Sequence, residues 1–141
     1  DHQMLLAEEA EKYIRDNNVK MIIVDSLTAH FRAEYIGRGT LADRQQKINK
    51  HMHTLSRLAQ MYDVVVFVTN QVSANPGQFY GDPTQAIGGN IVAHNSATRL
   101  KLRKGKTIKG EKSRHADLID SPFLPDAGCD YFVREEGLCD L

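Results

Sequence analysis

Met4, Leu5, Ala7, Ala10, Tyr13 and Ile14 recur at three- and four-residue steps, the period of one helix face, and the polar run "RDNN" ends the pattern before Met21. A helix therefore feeds a strand. "MIIVD" (21–25) and "DVVVFVTN" (63–70) are short unbroken apolar runs rich in β-branched residues, without the alternation of a half-exposed strand. Such runs predict parallel strands covered on both faces. Between them Leu41, Ile48, Met52, Leu55, Ala59 and Tyr62 fall on one side of a long amphipathic helix, with Thr40 as its N-cap and Asp43 three residues on. Strand, loop, helix and strand form one unit, whose crossover is expected to be right-handed.

Beyond Asn70 the pattern dissolves. "QVSANPGQFYGDPTQAIGGN" holds four Gly and two Pro and reads as a long loop, of a length that tends to be functional or disordered. A short helix is predicted from about Asn90 through His94. "ATRLKLRKG" then alternates, Leu100 and Leu102 facing one way and Arg99, Lys101 and Arg103 the other. "HADLID" and "DYFVRE" read as two further strands, antiparallel additions to the sheet. The expected fold class is α/β: a mainly parallel sheet with helices on both faces and antiparallel strands at the C-terminal end.

Length and charge narrow this picture only a little. At 141 residues, 41% hydrophobic and 26% charged, the chain suits one compact globular domain. Lys plus Arg equals Asp plus Glu at 18 each, so no overall field draws it to nucleic acid or anionic lipid. The distribution is uneven, however. Eight basic residues against Glu111 lie between Arg99 and Arg114, a local charge of plus seven that either faces water or meets a polyanion. Cys129 and Cys139 fit no zinc or redox spacing, and a reducing cytosol is the default. No apolar run approaches the length of a membrane span, and no leader opens the chain. The start, without Met and almost directly in a helical pattern, suggests a fragment.

Candidate chemistry gathers at strand ends. Asp25 closes the first strand at its carboxyl end, where open α/β sheets place ligands; in a nucleotide hydrolase such a carboxylate holds a water of Mg²⁺. A structural strand also often ends in Asp. Asn70 and Gln71 end the second strand, where a neutral amide can cap the strand or bond a terminal phosphate. Arg32, Arg38 and Arg44 lie in "FRAEYIGRGTLADRQQ", with Arg38 between two glycines that permit close approach to a phosphate. "IGGN" (87–90) offers backbone N–H groups at a helix start, as plain Gly-Gly turns also do. His51 and His53 cannot share a helix face, which speaks against a metal pair. His94 reads as a core histidine, and Asp120 with Ser121 and Pro122 as a strand-ending turn. Ser26 and Thr28 lack a partnered His, so covalent catalysis has no support.

Together "MIIVDSLTAHFRAEYIGRGTLADRQQKINKHMHTLSRLA", "VVVFVTNQV", "GDPTQAIGGNIVAHNSATRLKLRKGK" and "LIDSPFLPDAGCDYFVREEG" resemble the C-terminal half of the ATPase core of the archaeal RadA family, RecA-like strand-exchange recombinases. The resemblance implies that residues 1–141 are the C-terminal part of a RecA-like P-loop NTPase domain. It implies a role in ATP-dependent pairing and strand exchange on DNA, in the cytoplasm and associated with the nucleoid. Asp25 then matches the Walker B aspartate that binds Mg²⁺ through water. Gln71 matches the γ-phosphate sensor that passes its state to the second DNA-binding loop, and His94, Asp120 and Pro122 fall near ATP shared with a neighbouring protomer. Arg32, Arg38 and Arg44 match the first DNA-binding loop. Val72 to Gly88 match the second, with Gly88, Gly89 and Asn90 at a DNA phosphate and Phe79 or Tyr80 between bases. The basic hairpin is implied as part of a site for duplex DNA.

Partners implied are single-stranded and duplex DNA and further copies of the protein, as filament or ring. No membrane is implied. No GxxxxGK[ST] occurs in these residues, so the chain alone is not expected to hydrolyse ATP. The family's catalytic glutamate, polymerisation motif and N-terminal domain are missing as well. The alternatives are a non-hydrolysing paralogue or accessory DNA-binding module, and a RecA-like motor such as a hexameric helicase.

Overall fold

The computed structural model describes residues 2–74 and 84–141; at 38, 74, 84 and 85 only the backbone is described. Phe79 and Tyr80 lie outside the described residues. The length suggests one compact domain, and the chain packs as two compact units, Asp1–Asn95 and Ser96–Leu141.

In the first unit, α1 (His2–Asn17) buries Met4, Ala7 and Ile14, while Leu5 and Tyr13 of the predicted stripe face outward. A 3₁₀ turn, Arg38–Thr40, leads into α3 (Leu41–Tyr62), after the short α2 (Ala29–Glu34). α3 buries Ile48, His51, Met52, Leu55 and Leu58. Thr40 is its N-cap residue, yet no side-chain bond caps the helix. The Thr40 hydroxyl instead donates back to the Ile36 and Gly37 carbonyls, both at 3.2 Å, because the 3₁₀ turn brings those acceptors beneath it. At the other end Asp63 turns the chain at φ +50°, and Tyr62 donates to Glu11 at 2.6 Å, fastening α3 to α1. That bond holds the Glu11 carboxyl below its usual range and pushes the Tyr62 phenol up.

β1 (Met21–Val24) pairs with β2 (Val65–Val68) in parallel, Met21 opposite Val65 and Val24 opposite Val68. Ile22, Val24, Val66 and Val68 pack on a core of Leu27, Phe31, Ile48, Met52 and Leu55. The opposite face, Met21, Ile23, Val65 and Phe67, is at least half exposed. Among the described residues of this unit, helices on both faces are therefore not found over these strands. An unbroken apolar strand fits a sheet covered twice, and the described helices supply one cover.

The parallel sheet is also smaller than expected. Among the described strands only β1 and β2 pair in parallel. β3 (Val72–Ala74) and β4 (Thr84–Ala86) form an antiparallel ladder, so the ends of the segment read as a loop are strand. α4 (Gly89–Asn95) closes the unit.

The second unit is one antiparallel sheet in the order β5 (Arg99–Ile108), β6 (Glu111–Asp120), β7 (Ala127–Arg134), β8 (Gly137–Cys139). Antiparallel pairing dominates because connections of two, six and two residues join these strands, too short for a parallel crossover. Lys109 and Gly110 both take positive φ, +51° and +85°, the two-residue turn that matches strand twist and sets Ile108 opposite Glu111. β5 alternates only over its first four residues, with the apolar side the more exposed, and Arg103 is exposed as well. Leu100 and Leu102 are exposed, whereas Arg99 and Lys101 are half-buried. Arg99 is drawn in by Asp120, at 2.9 Å, which anchors its aliphatic stem on the covered side. Among the described residues no helix is long and apolar enough to cross a membrane.

Candidate functional site

The parallel register carries the ends of β1 and β2 to one place. The Thr69 amide donates to the Val24 carbonyl at 3.0 Å and the Leu27 amide to the Thr69 carbonyl at 2.9 Å, extending the pairing past both strands. Asp25, whose peptide bond to Ser26 is cis, stands exposed at this tip. Its Oδ1 accepts a hydrogen bond of 2.6 Å from the Thr69 hydroxyl. One hydroxyl thus orients the carboxylate, and Oδ2 has no partner among the described residues.

Asn70 is the hub behind that tip. Its Oδ1 accepts from the Thr28 hydroxyl at 2.7 Å and from the Gln71 amide at 2.9 Å. Its Nδ2 donates to the Ile87 carbonyl at 2.6 Å, and the Ile87 amide returns a bond of 2.9 Å to the Gln71 carbonyl. The strand tip is thereby tied to both ends of the segment from Val72 to Gly88. Thr28 is fully buried, so its hydroxyl depends on Asn70 for a partner. Gly88 follows at φ +92°, where a Cβ would come within 2.7 Å of Val92 Cγ2. The chain turns tightly here against α4 and admits no side chain.

Gln71 presents an exposed side chain whose Oε1 accepts from Arg32 Nη1 at 3.3 Å. Arg32 thus reaches the amide expected to sense phosphate. Arg38 begins the 3₁₀ turn before α3, and nothing of its side chain is described. Arg44 lies half-buried on α3 with its Nε lacking a hydrogen-bond partner among the described residues. Gly89 and Asn90 open α4, exposed.

His94 is exposed on α4, which corrects its reading as a core histidine. The buried histidine is His51, 1% exposed, 5.9 Å from the Phe31 ring and without a hydrogen-bond partner at either nitrogen among the described residues. Burial pushes its pKa down. In the second unit Asp120 ends β6 bonded to Arg99. Ser121 Oγ accepts from the Leu124 amide at 3.2 Å and shapes the turn in which Pro122 is exposed. The roles of Thr28 and Thr69 were not foreseen. Their signal in the sequence, a hydroxyl residue just past each apolar run, is too common to single them out.

A comparison with protein families matches residues 1–141, the whole chain, to Rad51. Among curated proteins the chain is 52% identical, over 98% of its length, to the DNA repair and recombination protein RadA of Haloquadratum walsbyi. The same identity and coverage hold for the RadA proteins of two Halobacterium salinarum strains. The chain spans 40% of the length of these relatives. With every described element of both units inside the matched region, this chain belongs to the Rad51 family.

Proposed function

We propose that residues 1–141 form the C-terminal part of a RecA-like P-loop ATPase core in an ATP-dependent recombinase. That protein coats single-stranded DNA as a filament, in the cytoplasm and on the nucleoid, and exchanges the strand with a homologous duplex in DNA repair. The observation that carries this reading is the convergence of an oriented carboxylate and an amide on one pair of parallel strand ends, inside a chain matched to Rad51 from end to end. The bare face of β1 and β2 is where the upstream half of the core packs.

The residues present fit a magnesium nucleotide. Asp25 is an exposed oxygen donor, held by Thr69 at one oxygen and open at the other, as a hard cation and its waters require. Bound there, Mg²⁺ neutralises phosphate charge. Gln71 would offer the terminal phosphate a neutral amide; His94 in the first unit, and separately Asp120 and Pro122 in the second, would each face nucleotide held with a neighbouring copy. Arg32, Arg38 and Arg44, with the backbone at Gly88, Gly89 and Asn90, hold DNA phosphates. These 141 residues contain no GxxxxGK[ST], so the lysine that grips the β- and γ-phosphates comes from outside them.

The test joins this chain to the upstream part of the Haloquadratum walsbyi relative and measures binding of a labelled single-stranded oligonucleotide. Affinity is expected to rise with ATP and Mg²⁺ and to fall steeply with salt. Arg38→Ala is expected to weaken it about tenfold, the loss of one charge-assisted phosphate contact. Equal affinity with and without nucleotide, or indifference to salt, overturns the reading.

A further inference from the structure

We infer that Asn70 is the positioning residue that transmits the state of Gln71 to the far end of the second DNA-binding segment. The inference rests on the reading of Gln71 as the phosphate sensor coupled to that segment, and adds the residue that carries the coupling. Three bonds carry it, and they assign the amide without ambiguity. The Gln71 N–H can only donate, so the atom it meets at 2.9 Å is Oδ1. The Ile87 carbonyl can only accept, so the atom at 2.6 Å is Nδ2. Thr28, fully buried, completes Oδ1 at 2.7 Å and fixes the amide plane against the loop that follows β1.

This geometry makes Asn70 a two-armed lever. Its acceptor arm holds the backbone of the sensor residue, and its donor arm holds the carbonyl one residue before Gly88. A displacement of Gln71 toward phosphate carries its N–H against Oδ1, and the rigid amide moves the donor that holds Ile87. Gly88 and Gly89, at φ +92° and +58°, follow directly, so the movement arrives at the proposed DNA-phosphate contact. The Ile87 amide bonded to the Gln71 carbonyl makes the connection double. Nothing in this path requires Asn70 to touch nucleotide or DNA.

The arms are separable by substitution. Asn70→Asp keeps both acceptor bonds and replaces the donor to Ile87 with an oxygen that repels the carbonyl. Thr28→Val removes the hydroxyl that orients the amide, and Thr28→Ser keeps it. In the joined protein described above, the readout is the ratio of Kd values for single-stranded DNA without and with ATP, beside Kd for a fluorescent ATP analogue. Asn70→Asp is expected to lower the ratio about tenfold, as loss of one part-buried hydrogen bond does. Analogue affinity and nucleotide-free DNA affinity are expected to stay within about twofold. Thr28→Val is expected to lower the ratio less, and Thr28→Ser to restore it. An unchanged ratio in Asn70→Asp overturns the inference and leaves Gln71 as sensor. So does an equal loss of DNA affinity with and without ATP, or failure of Thr28→Ser to restore the ratio. An unsubstituted protein whose ratio is one overturns the sensor reading and this inference with it.

Discussion

The two units hold together by different means. In Asp1–Asn95 residues of four helices, α1 to α4, build a core on one face of a parallel strand pair, and Leu27, Phe31, Ile48, Leu55 and Leu58 are almost wholly buried. In Ser96–Leu141 the buried residues are few, Phe132 and Ser113 among them, and the sheet is laced by ion pairs and polar side-chain contacts. Arg103 meets Asp117 at 2.8 Å, His115 lies 2.7 Å from Asp130 and 3.0 Å from Asp117, and Arg134 forks onto Glu111. Burial scales with apolar area and survives salt, whereas exposed ion pairs contribute little each and are screened. The first unit therefore concentrates its stability in a few side chains, and the second spreads it along a ladder.

The largest expected effect tests that concentration. Phe31→Ala removes a fully buried ring from the first core and is expected to cost about 3–5 kcal/mol in urea unfolding. Val133→Ala, at an exposed position of the second sheet, is expected to change the same midpoint by a small fraction of that shift. Equal effects would erase the distinction between the units.

Next come two glycines. A Cβ at Gly105 would overlap Ser113 Oγ and stand 3.0 Å from the Ser113 backbone, at the place where the β5–β6 register shifts. Ser113 is buried and donates to the Lys106 carbonyl, so it has little room to yield. Gly105→Ala is expected to destabilise by about 1–3 kcal/mol, read as a lower melting temperature with loss of β-sheet signal. Gly88→Ala, strained by its positive φ and by Val92, is expected to cost a similar amount and to loosen α4.

A smaller effect follows from His51. Burial lowers its folded pKa below the ordinary value of 6.5, so the neutral form is favoured in the fold. Stability is then complete above pH 6.5 and is lost as pH falls below it, while the unfolded chain takes up the proton first. His51→Leu is expected to flatten melting temperature against pH in that range; an unchanged profile assigns the acid sensitivity elsewhere.

The smallest effect belongs to the ladder. Hydrogen bonds from Arg134 hold the Glu111 carboxyl below 4.5, so this pair stabilises above that pH and fades as pH falls below it. Glu111→Gln is expected to lower the melting temperature slightly, and 1 M salt to shrink the difference between the two proteins. A loss as large as that of Phe31→Ala would show that charge, not burial, carries the second unit.

The sequence by itself determined the long helices and the two central strands, but neither the short α2 and β8 nor the β3–β4 ladder. Periodicity placed α3 and its Thr40 start, unbroken β-branched runs placed β1 and β2, and these set Asp25 directly after β1 and Gln71 between β2 and β3. The reason is local: helix and strand periods are properties of consecutive residues. Which face of a strand is covered is not local. Leu100 and Leu102 alternate correctly yet lie exposed, and Met21 and Phe67 look like core residues without a cover.

Only the tertiary structure brought Thr28 to Asn70, 42 residues away, and Asn70 to Ile87, 17 residues away. It also exposed His94, read from the sequence as a core histidine, and buried His51, for which the sequence offered no placement. Hydrogen bonds between distant side chains depend on the path of the whole backbone, and no spacing rule in the chain encodes them.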